Sequence, residues 1–405
     1  MLIAVQVLGG AGFFLGVAVA VLLARELTDS DSLIGLPIAI AVAAGAAAAW
    51  PLGSWMQRSG RRPGLVAGQL CGALGAAIVV LAAREGSFPL LCVGMGAFGA
   101  GNTSNLLARY AATDLALPDR RGRAISAILL ATAAGAILGP NLAELAGELG
   151  DELGVPAEGA PFALSAVLLA LAGVVMFVML RPDPLLSARD AAPHPPGAPG
   201  SEAISPAGGK DSSVDWSRMA VTGVAAMVMA NLAMISIMTM TPIHLDDADQ
   251  SLAVVGLVVS LHVAGMFLPS PITGALVDRV GRLPVIAASG AVLILAGGLA
   301  LPSSGHDTGL VIAALVLLGI GWNLGLVGGS TLLTDSVPLA RRARAQGQAD
   351  MAMGAAGAVG SLASGPALAA GGFGLIAVAG AFLGALVVLV ALRAGLFAPA
   401  PAEAA

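Results

Sequence analysis

The sequence has few charged residues and few cysteines. Only 11% of its 405 residues are charged, while 57% are hydrophobic. A typical soluble domain has about 25% charged residues, so this composition excludes an ordinary soluble fold and indicates a chain that lies in a membrane. The two cysteines, Cys71 and Cys92, both fall within hydrophobic runs. We interpret them as small buried side chains and leave open a thiol contact with a soft metal ion.

The signatures of enzymes are missing as well. The sequence contains no nucleotide-binding loop, no nucleophile paired with a base and no Cys–His cluster in a polar segment. We therefore predict that the chain is not an enzyme, has no cofactor and binds no nucleic acid. No basic segment precedes the first hydrophobic run, so we interpret that run as a membrane helix and not as a cleaved signal peptide.

What the sequence does contain is a series of hydrophobic runs that are long enough to cross a bilayer. We predict an all-α membrane protein with twelve transmembrane helices. The predicted spans lie near residues 2–24, 33–55, 63–83, 88–112, 124–147, 161–181, 217–243, 251–276, 284–302, 309–332, 345–369 and 373–395.

A segment rich in Pro, Gly, Ala and Ser divides these spans six and six. We interpret residues 183–215 as a flexible cytoplasmic linker between an N-terminal bundle, 1–182, and a C-terminal bundle, 216–405. Arginines cluster in alternate loops, on the same side as this linker. The positive-inside rule therefore places both chain termini in the cytoplasm.

The two halves repeat each other at a constant offset of 221 residues, as between positions 53 and 274. Gly53, Arg58 and Arg61 recur as Gly274, Arg279 and Arg282, and Asp114 recurs as Asp335. One offset that relates two separate loops indicates a duplication. We therefore predict two pseudo-symmetric six-helix bundles with a solute site between them near the middle of the membrane.

Two neighbouring spans carry a set of soft donor atoms. Met234 and Met238 lie four residues apart on the seventh span, and His262 and Met266 lie four apart on the eighth. This spacing puts each pair on one helical face, and the helical rise puts Met234 and His262 at a similar depth. Thioether sulfur and imidazole nitrogen suit Cu(I) better than a hard ion, and an ionisable residue within the membrane indicates a functional site. We predict a ladder of copper ligands, with these auxiliary candidates: Met227, Asn231, Met240 and His244.

Two plainer interpretations of these residues stay open. In a chain with 14 methionines, a single Met-x-x-x-Met pair is no surprise by chance, and methionine also serves as packing or as adaptable lining for an apolar solute. The alternative interpretation of His262 is that it forms a hydrogen bond to a neighbouring helix.

The loop after the second span of each half carries a further pattern. The C-terminal copy, Gly274–Arg282, reads Gly-x-x-x-Asp-Arg-x-Gly-Arg, whereas the N-terminal copy has Gln57 in place of the acid. With the repeat, this pattern resembles the major facilitator superfamily over essentially the whole chain. The resemblance implies a cytoplasmic gate in which the acid lies against a helix N-terminus and arginines pair with carboxylates. The predicted gating residues are Gly53, Gln57, Arg58, Arg61, Gly274, Asp278, Arg279, Arg282 and Asp350.

The donor set on the seventh and eighth spans gives a narrower resemblance. A Met-x-x-x-Met followed by a His-x-x-x-Met resembles the CcoA-like copper transporters, a bacterial branch of the same superfamily. The resemblance implies that Met234, Met238, His262 and Met266 bind copper, and that the chain imports Cu(I) across the bacterial cytoplasmic membrane for haem–copper oxidase assembly. We expect a monomer with the copper ion and the lipid bilayer as its partners.

Two alternatives stand beside copper transport. The first alternative is a small-molecule or drug efflux carrier of the same superfamily. The second is a membrane sensor that transports nothing. The fifth span has Gly135, Gly139 and Pro140 of the superfamily's antiporter pattern but Ala143 and Glu144 where two glycines belong. This partial match does not favour drug–proton antiport.

Overall fold

A computed structural model describes residues 1–28, 33, 35–153, 155–156, 159–191, 216–250, 252–303 and 307–396. Within these ranges all regular structure is helical, as the composition predicts. The helices are α1 (Leu2–Leu27), α2 (Leu36–Ser59), α3 (Arg61–Glu85), α4 (Phe88–Asp114), α5 (Arg121–Asn141), α6 (Ala143–Leu153), α7 (Ala160–Met179), α8 (Pro184–Asp190), α9 (Arg218–Asp246), α10 (Leu252–Phe267), α11 (Ser270–Val280), α12 (Arg282–Ala300), α13 (Thr308–Ser336) and α14 (Leu339–Leu396), with a 3₁₀ turn at Pro118–Arg120.

The described helices account for the twelve predicted spans. Ten stretches are long and apolar enough to cross a membrane. One of them, α14, comprises two helices that meet at a kink at Gly371 and Gly372. Helix α4 has 27 residues and the length to span, although a polar run in its middle lowers its hydropathy. The class predicted from composition, an all-helical multi-pass membrane protein, is therefore confirmed.

The eighth predicted span is divided into two helices. Helix α10 ends at Phe267 and α11 begins at Ser270, because Pro269 and Pro271 lack the amide hydrogens that a continuous helix needs. The Asn323 amide nitrogen of α13 donates to the Met266 carbonyl oxygen at 2.8 Å and to the Ser270 hydroxyl at 2.8 Å. The bond to Met266 matters because an unpaired carbonyl within a membrane is costly.

The repeated loop pattern forms two equivalent turns. Gly60 joins α2 to α3 with φ of 93°, and Gly281 joins α11 to α12 with φ of 102°. These positive φ values are accessible to glycine at little cost. The pattern therefore requires glycine at this position in both halves.

Contacts divide the chain into two compact units. The first unit comprises Met1–Leu117, the described part of Ala127–Asp215, and Val337–Ala355. The second comprises Pro118–Ser126, Trp216–Ser336 and the described part of Ala356–Ala405. Each unit thus includes a short segment from the half of the sequence that supplies most of the other. The bundle boundaries 1–182 and 216–405 stay a prediction.

In the first unit, α3 packs closely against α4 and α7. A Cβ atom on Gly75 would lie 2.7 Å from the Gly94 carbonyl oxygen, so the α3 and α4 backbones approach each other as small residues allow. Phe98 stacks on Phe13 with ring centroids 5.1 Å apart and meets Phe162 edge-on. These rings fill the space between α1, α4 and α7.

In the second unit, α13 is the central helix. It packs against α9, α10 and α12. A Cβ atom on Gly319 would lie 2.6 Å from the His262 carbonyl oxygen, and one on Gly265 would lie 2.6 Å from the Val316 carbonyl oxygen. The α10 and α13 backbones are therefore in close contact around His262.

The start of the predicted linker is structured. Asp183 caps the short helix α8 by accepting hydrogen bonds from the Leu185 and Leu186 amides, and it also accepts from the Arg62 amide at 2.7 Å. Residues 192–215 of the linker, which include His194 and Lys210, lie outside the described residues.

Candidate functional site

The predicted copper ligands lie on α9 and α10. Met234 and His262 are buried, and Met238 and Met266 are half-buried. Helices α9 and α10 both pack mainly against α13 and contact each other only slightly. Convergence of the four donors on one ion therefore stays a prediction.

His262 is held in one tautomer. Its Nδ1 atom lies 2.7 Å from the Leu315 carbonyl oxygen, which only accepts, so Nδ1 carries the proton. The Nε2 atom is buried and has no hydrogen-bond partner in the part of the chain that the structure describes. A histidine that donates one ring N–H to a carbonyl and presents its other nitrogen is oriented as metal-binding histidines are.

Three of the auxiliary candidates already have partners. The Ser330 hydroxyl lies 3.6 Å from the Met227 sulfur, and the Trp322 indole N–H donates to the Asn231 amide oxygen at 3.0 Å. The His244 ring stacks on the Phe373 ring with centroids 4.1 Å apart. Met240, the fourth, is buried. The role of these four residues as auxiliary copper ligands stays a prediction.

Two equivalent ion pairs join the residues of the repeated loops. Arg61 Nε lies 2.7 Å from Asp114 Oδ2 in the first unit, and Arg282 Nε lies 2.7 Å from Asp335 Oδ2 in the second. The two pairs are related to each other by the 221-residue offset of the sequence repeat. Their exposure differs, since the first pair is fully buried and the second about one-fifth exposed.

The acid and the amide of the repeated pattern occupy equivalent places at helix N-termini. Asp278 accepts from the Gly122 amide at 2.8 Å and from the Arg123 amide at 3.0 Å, at the start of α5. Gln57 accepts from the Ala343 amide at 2.7 Å, near the start of α14, and donates to the Leu339 carbonyl at 3.1 Å. Only the Asp278 contact adds a negative charge to the positive end of a helix dipole.

The glycines of the same pattern allow close helix approach. A Cβ atom on Gly53 would lie 2.7 Å from the Ala343 carbonyl oxygen, and one on Gly274 would lie 2.8 Å from the Gly122 carbonyl oxygen. Arg58 and Arg279 of the pattern are exposed. The gating role of the whole set stays a prediction.

A buried ion pair that the sequence analysis missed lies in the first unit. Arg109 Nη2 of α4 is 2.5 Å from Asp350 Oδ1 of α14, and both side chains are almost fully buried. Arg109 also donates to the Leu106 carbonyl and the Tyr110 hydroxyl, and its guanidinium lies 4.4 Å from the Tyr110 ring centre. The signal was present in the sequence, because position 109 lies inside the predicted span 88–112 and a charge there marks a functional site.

This ion pair borders a cavity of about 270 Å³. Helices α1, α2, α4 and α14 all contribute to its walls, which are mainly apolar. The lining residues are Phe13, Val17, Ile38, Ala41, Val42, Gly45, Ala46, Ala49, Met95, Gly99, Asn102, Thr103, Leu106, Asp350, Met353 and Gly354. A mainly apolar cavity with a few polar groups is typical of a small-molecule site.

The polar run on α4 is divided between the cavity and the helix contacts. Asn102 and Thr103 line the cavity, and the Thr103 hydroxyl donates to the Gly45 carbonyl at 2.8 Å. Ser104 donates to the Leu65 carbonyl, and Asn105 accepts from Gln69. Half of the run therefore faces the cavity and half joins α4 to α3.

Membrane-spanning helices that enclose a solute-sized cavity, with buried charges beside it, define a multi-pass membrane transporter. Comparison with known proteins identifies the family. The sequence matches the Major Facilitator Superfamily over residues 1–360 and 220–404. The chain belongs to this superfamily.

Several curated proteins are similar to the chain along most of its length. The uncharacterized MFS-type transporters YddS and YdeG of Bacillus subtilis (strain 168) are 41% and 40% identical, over 97% and 95% of this chain and 89% and 88% of their own. The riboflavin transporter RfnT of Brucella anthropi is 31% identical over 86% of this chain and 83% of its own.

Solved structures share the fold. A bacterial homologue of the iron transporter ferroportin has a TM-score of 0.74 at 14% identity and covers 98% of both chains. The human organic anion transporter MFSD10 has a TM-score of 0.70 at 16% identity, over 96% of this chain and 98% of its own. At these identities the similarity concerns the fold alone.

Proposed function

We propose that the chain is a secondary transporter of a small organic solute, which binds in the cavity between α1, α2, α4 and α14. The observation that carries the proposal is the lining of this cavity, which combines apolar and aromatic walls with the polar groups of Asn102, Thr103 and Asp350. Such a site holds an organic molecule through its apolar body and orients it through a few hydrogen bonds.

Riboflavin is the first solute to test. A relative that is 31% identical over 86% of the chain is a riboflavin transporter, and the flat ring system of a flavin suits a wall that contains Phe13. We further propose that the chain lies in the bacterial cytoplasmic membrane with both termini in the cytoplasm, and that it works by alternating access.

The test is riboflavin transport by cells that express the chain, with the amount of protein in the membrane measured in parallel. Val17→Trp fills part of the cavity from α1 and is expected to reduce the rate strongly. Val174→Trp adds the same bulk on α7, where the side chain is 54% exposed, and is expected to leave the rate unchanged. Equal rates for both variants and the parent protein would show that this cavity is not the solute path.

Copper transport is the second candidate, and the geometry of His262 is what favours it. No described residue bonds to the buried Nε2 atom, and the Leu315 carbonyl fixes the proton on Nδ1. Cu(I) accepts imidazole and thioether donors, and Met266 is one helical turn away on the same face. YddS, YdeG and RfnT are not named as copper transporters.

Leucine substitutions separate ligands from packing residues. Met234→Leu and Met238→Leu conserve volume and cost less than ~1.5 kcal/mol each as packing changes, whereas as ligand changes they abolish copper uptake, as does His262→Leu. Met176→Leu and Met179→Leu on α7 are the controls. Copper accumulation per unit of membrane protein is the measurement, and Ag⁺ competes for a thioether site while Zn²⁺ does not. Parental uptake by the three α9 and α10 variants would exclude copper as the cargo.

A further inference from the structure

The two carboxylate oxygens of Asp350 have different surroundings. Oδ1 accepts from Arg109 at 2.5 Å and from the Tyr110 hydroxyl at 3.3 Å. Oδ2 has no hydrogen-bond partner among the described residues, although Asp350 is only 3% exposed. Asp350 also lines the cavity, so a residue with an unused acceptor oxygen contributes to the wall of the proposed solute site.

Thr103 and Asn102 line the same cavity, and neither donates to this oxygen in the structure. The Thr103 hydroxyl donates to the Gly45 carbonyl at 2.8 Å, and the Asn102 amide oxygen accepts from Asn105 at 3.1 Å. A buried carboxylate oxygen without a donor is costly. A donor from a bound molecule would satisfy this oxygen.

We infer that Asp350 Oδ2 accepts a hydrogen bond from an N–H or O–H group of the transported solute, an inference that rests on the proposed function. Arg109 is already paired with Oδ1, and the described residues that line the cavity include no Lys, Arg or His that could attract an anion. The solute class is consequently neutral or cationic, with a donor at one edge of an apolar body. In a flavin, that donor is the imide N–H of the ring system.

The inference is tested by binding to the purified full-length protein in detergent. The probes are lumiflavin, which has the ring system and its imide N–H, and the same molecule with the imide nitrogen methylated. Quenching of flavin fluorescence gives both dissociation constants. A hydrogen bond to a charged acceptor predicts that methylation weakens binding about 10- to 100-fold.

A protein variant separates loss of the bond from a clash with the added methyl group. Arg109→Met combined with Asp350→Ala removes both charges together, which preserves folding better than removing one of them. In this variant the penalty for methylation is expected to disappear. Asp247→Asn, at the exposed end of α9, is the control and is expected to keep the full penalty.

The outcomes are distinct. A penalty in the parent protein that disappears in the paired variant supports the inference. Equal binding of the two probes by the parent, or an equal penalty in the parent and the paired variant, overturns it while leaving solute transport standing. Binding of neither probe overturns the proposed flavin cargo and the inference with it.

Discussion

Substitution of Asp278 provides the sharpest test of the predicted gate. The Asp278 carboxylate, whose side chain is 1% exposed, accepts from two backbone amides at the start of α5. Asparagine keeps one acceptor oxygen, loses the charge and turns an NH₂ group toward the second amide. Hydrogen bonds to charged groups contribute about 1.5–3 kcal/mol and neutral ones about 1 kcal/mol. The expected loss is therefore about 2 kcal/mol, or roughly 30-fold in an equilibrium constant.

The equivalent change in the first unit should be milder. Gln57 makes two neutral hydrogen bonds, to Ala343 and Leu339, and Gln57→Asn is expected to lose about 1 kcal/mol, or roughly fivefold. The Arg123 side chain contributes little to the difference, because it is 51% exposed and lies 3.6 Å from Asp278, where solvent screens the pair.

Cysteine accessibility measures this asymmetry. In a protein with Cys71→Ala and Cys92→Ala, a single cysteine replacing Ala46 on the cavity wall reports how often the cavity is open to a soluble maleimide. Asp278→Asn is expected to change the equilibrium derived from the labelling rates about 30-fold, and Gln57→Asn about fivefold. Equal changes for the two substitutions would refute the view that the charge on Asp278 makes its contact the stronger one.

Two further predictions concern stability, measured by thermal unfolding in detergent. Arg109→Met alone leaves Asp350 charged and unpaired and is expected to destabilise by about 3–5 kcal/mol, whereas Arg109→Met with Asp350→Ala is expected to be close to neutral; similar losses for both proteins would contradict this. Gly297→Ala on α12 places a Cβ atom 2.6 Å from the Ala377 carbonyl oxygen and is expected to cost about 1–3 kcal/mol. Its neighbour Gly298 faces open space, so Gly298→Ala is expected to be neutral or to stabilise by up to about 1 kcal/mol, and the opposite order would refute the packing argument.

Much of the fold can be predicted from the local sequence, because each membrane helix must form the hydrogen bonds of its own backbone. The length and apolarity of a run are then enough to place a span. The structure differs from the prediction at Pro269, where the run 251–276, which is apolar enough for one span, is divided into two helices. Its prolines were visible, but the partner that satisfies the freed carbonyl, Asn323, lies 57 positions away from Met266 and belongs to the tertiary structure.

Less of the candidate site could be predicted from the sequence. The repeat predicts that Arg61 and Arg282 have equivalent surroundings, and both pair with aspartates at equivalent positions. Arg109 was detectable as a charge within a span, but its partner Asp350 is 241 positions away, and no local pattern relates the two. Helical periodicity shows that His262 and Met266 share a face, but it does not show that α10 packs on α13.

The division between α10 and α11 has a mechanical consequence. A helix broken by proline bends most easily at the break, and here the bend is held by the Asn323 amide, which bonds to Met266 before the break and Ser270 after it. Helix α11 is a short helix after this bend, and Asp278 lies near its C-terminal end. The Asn323 side chain of α13 therefore links the position of Asp278 to the packing of the central helix.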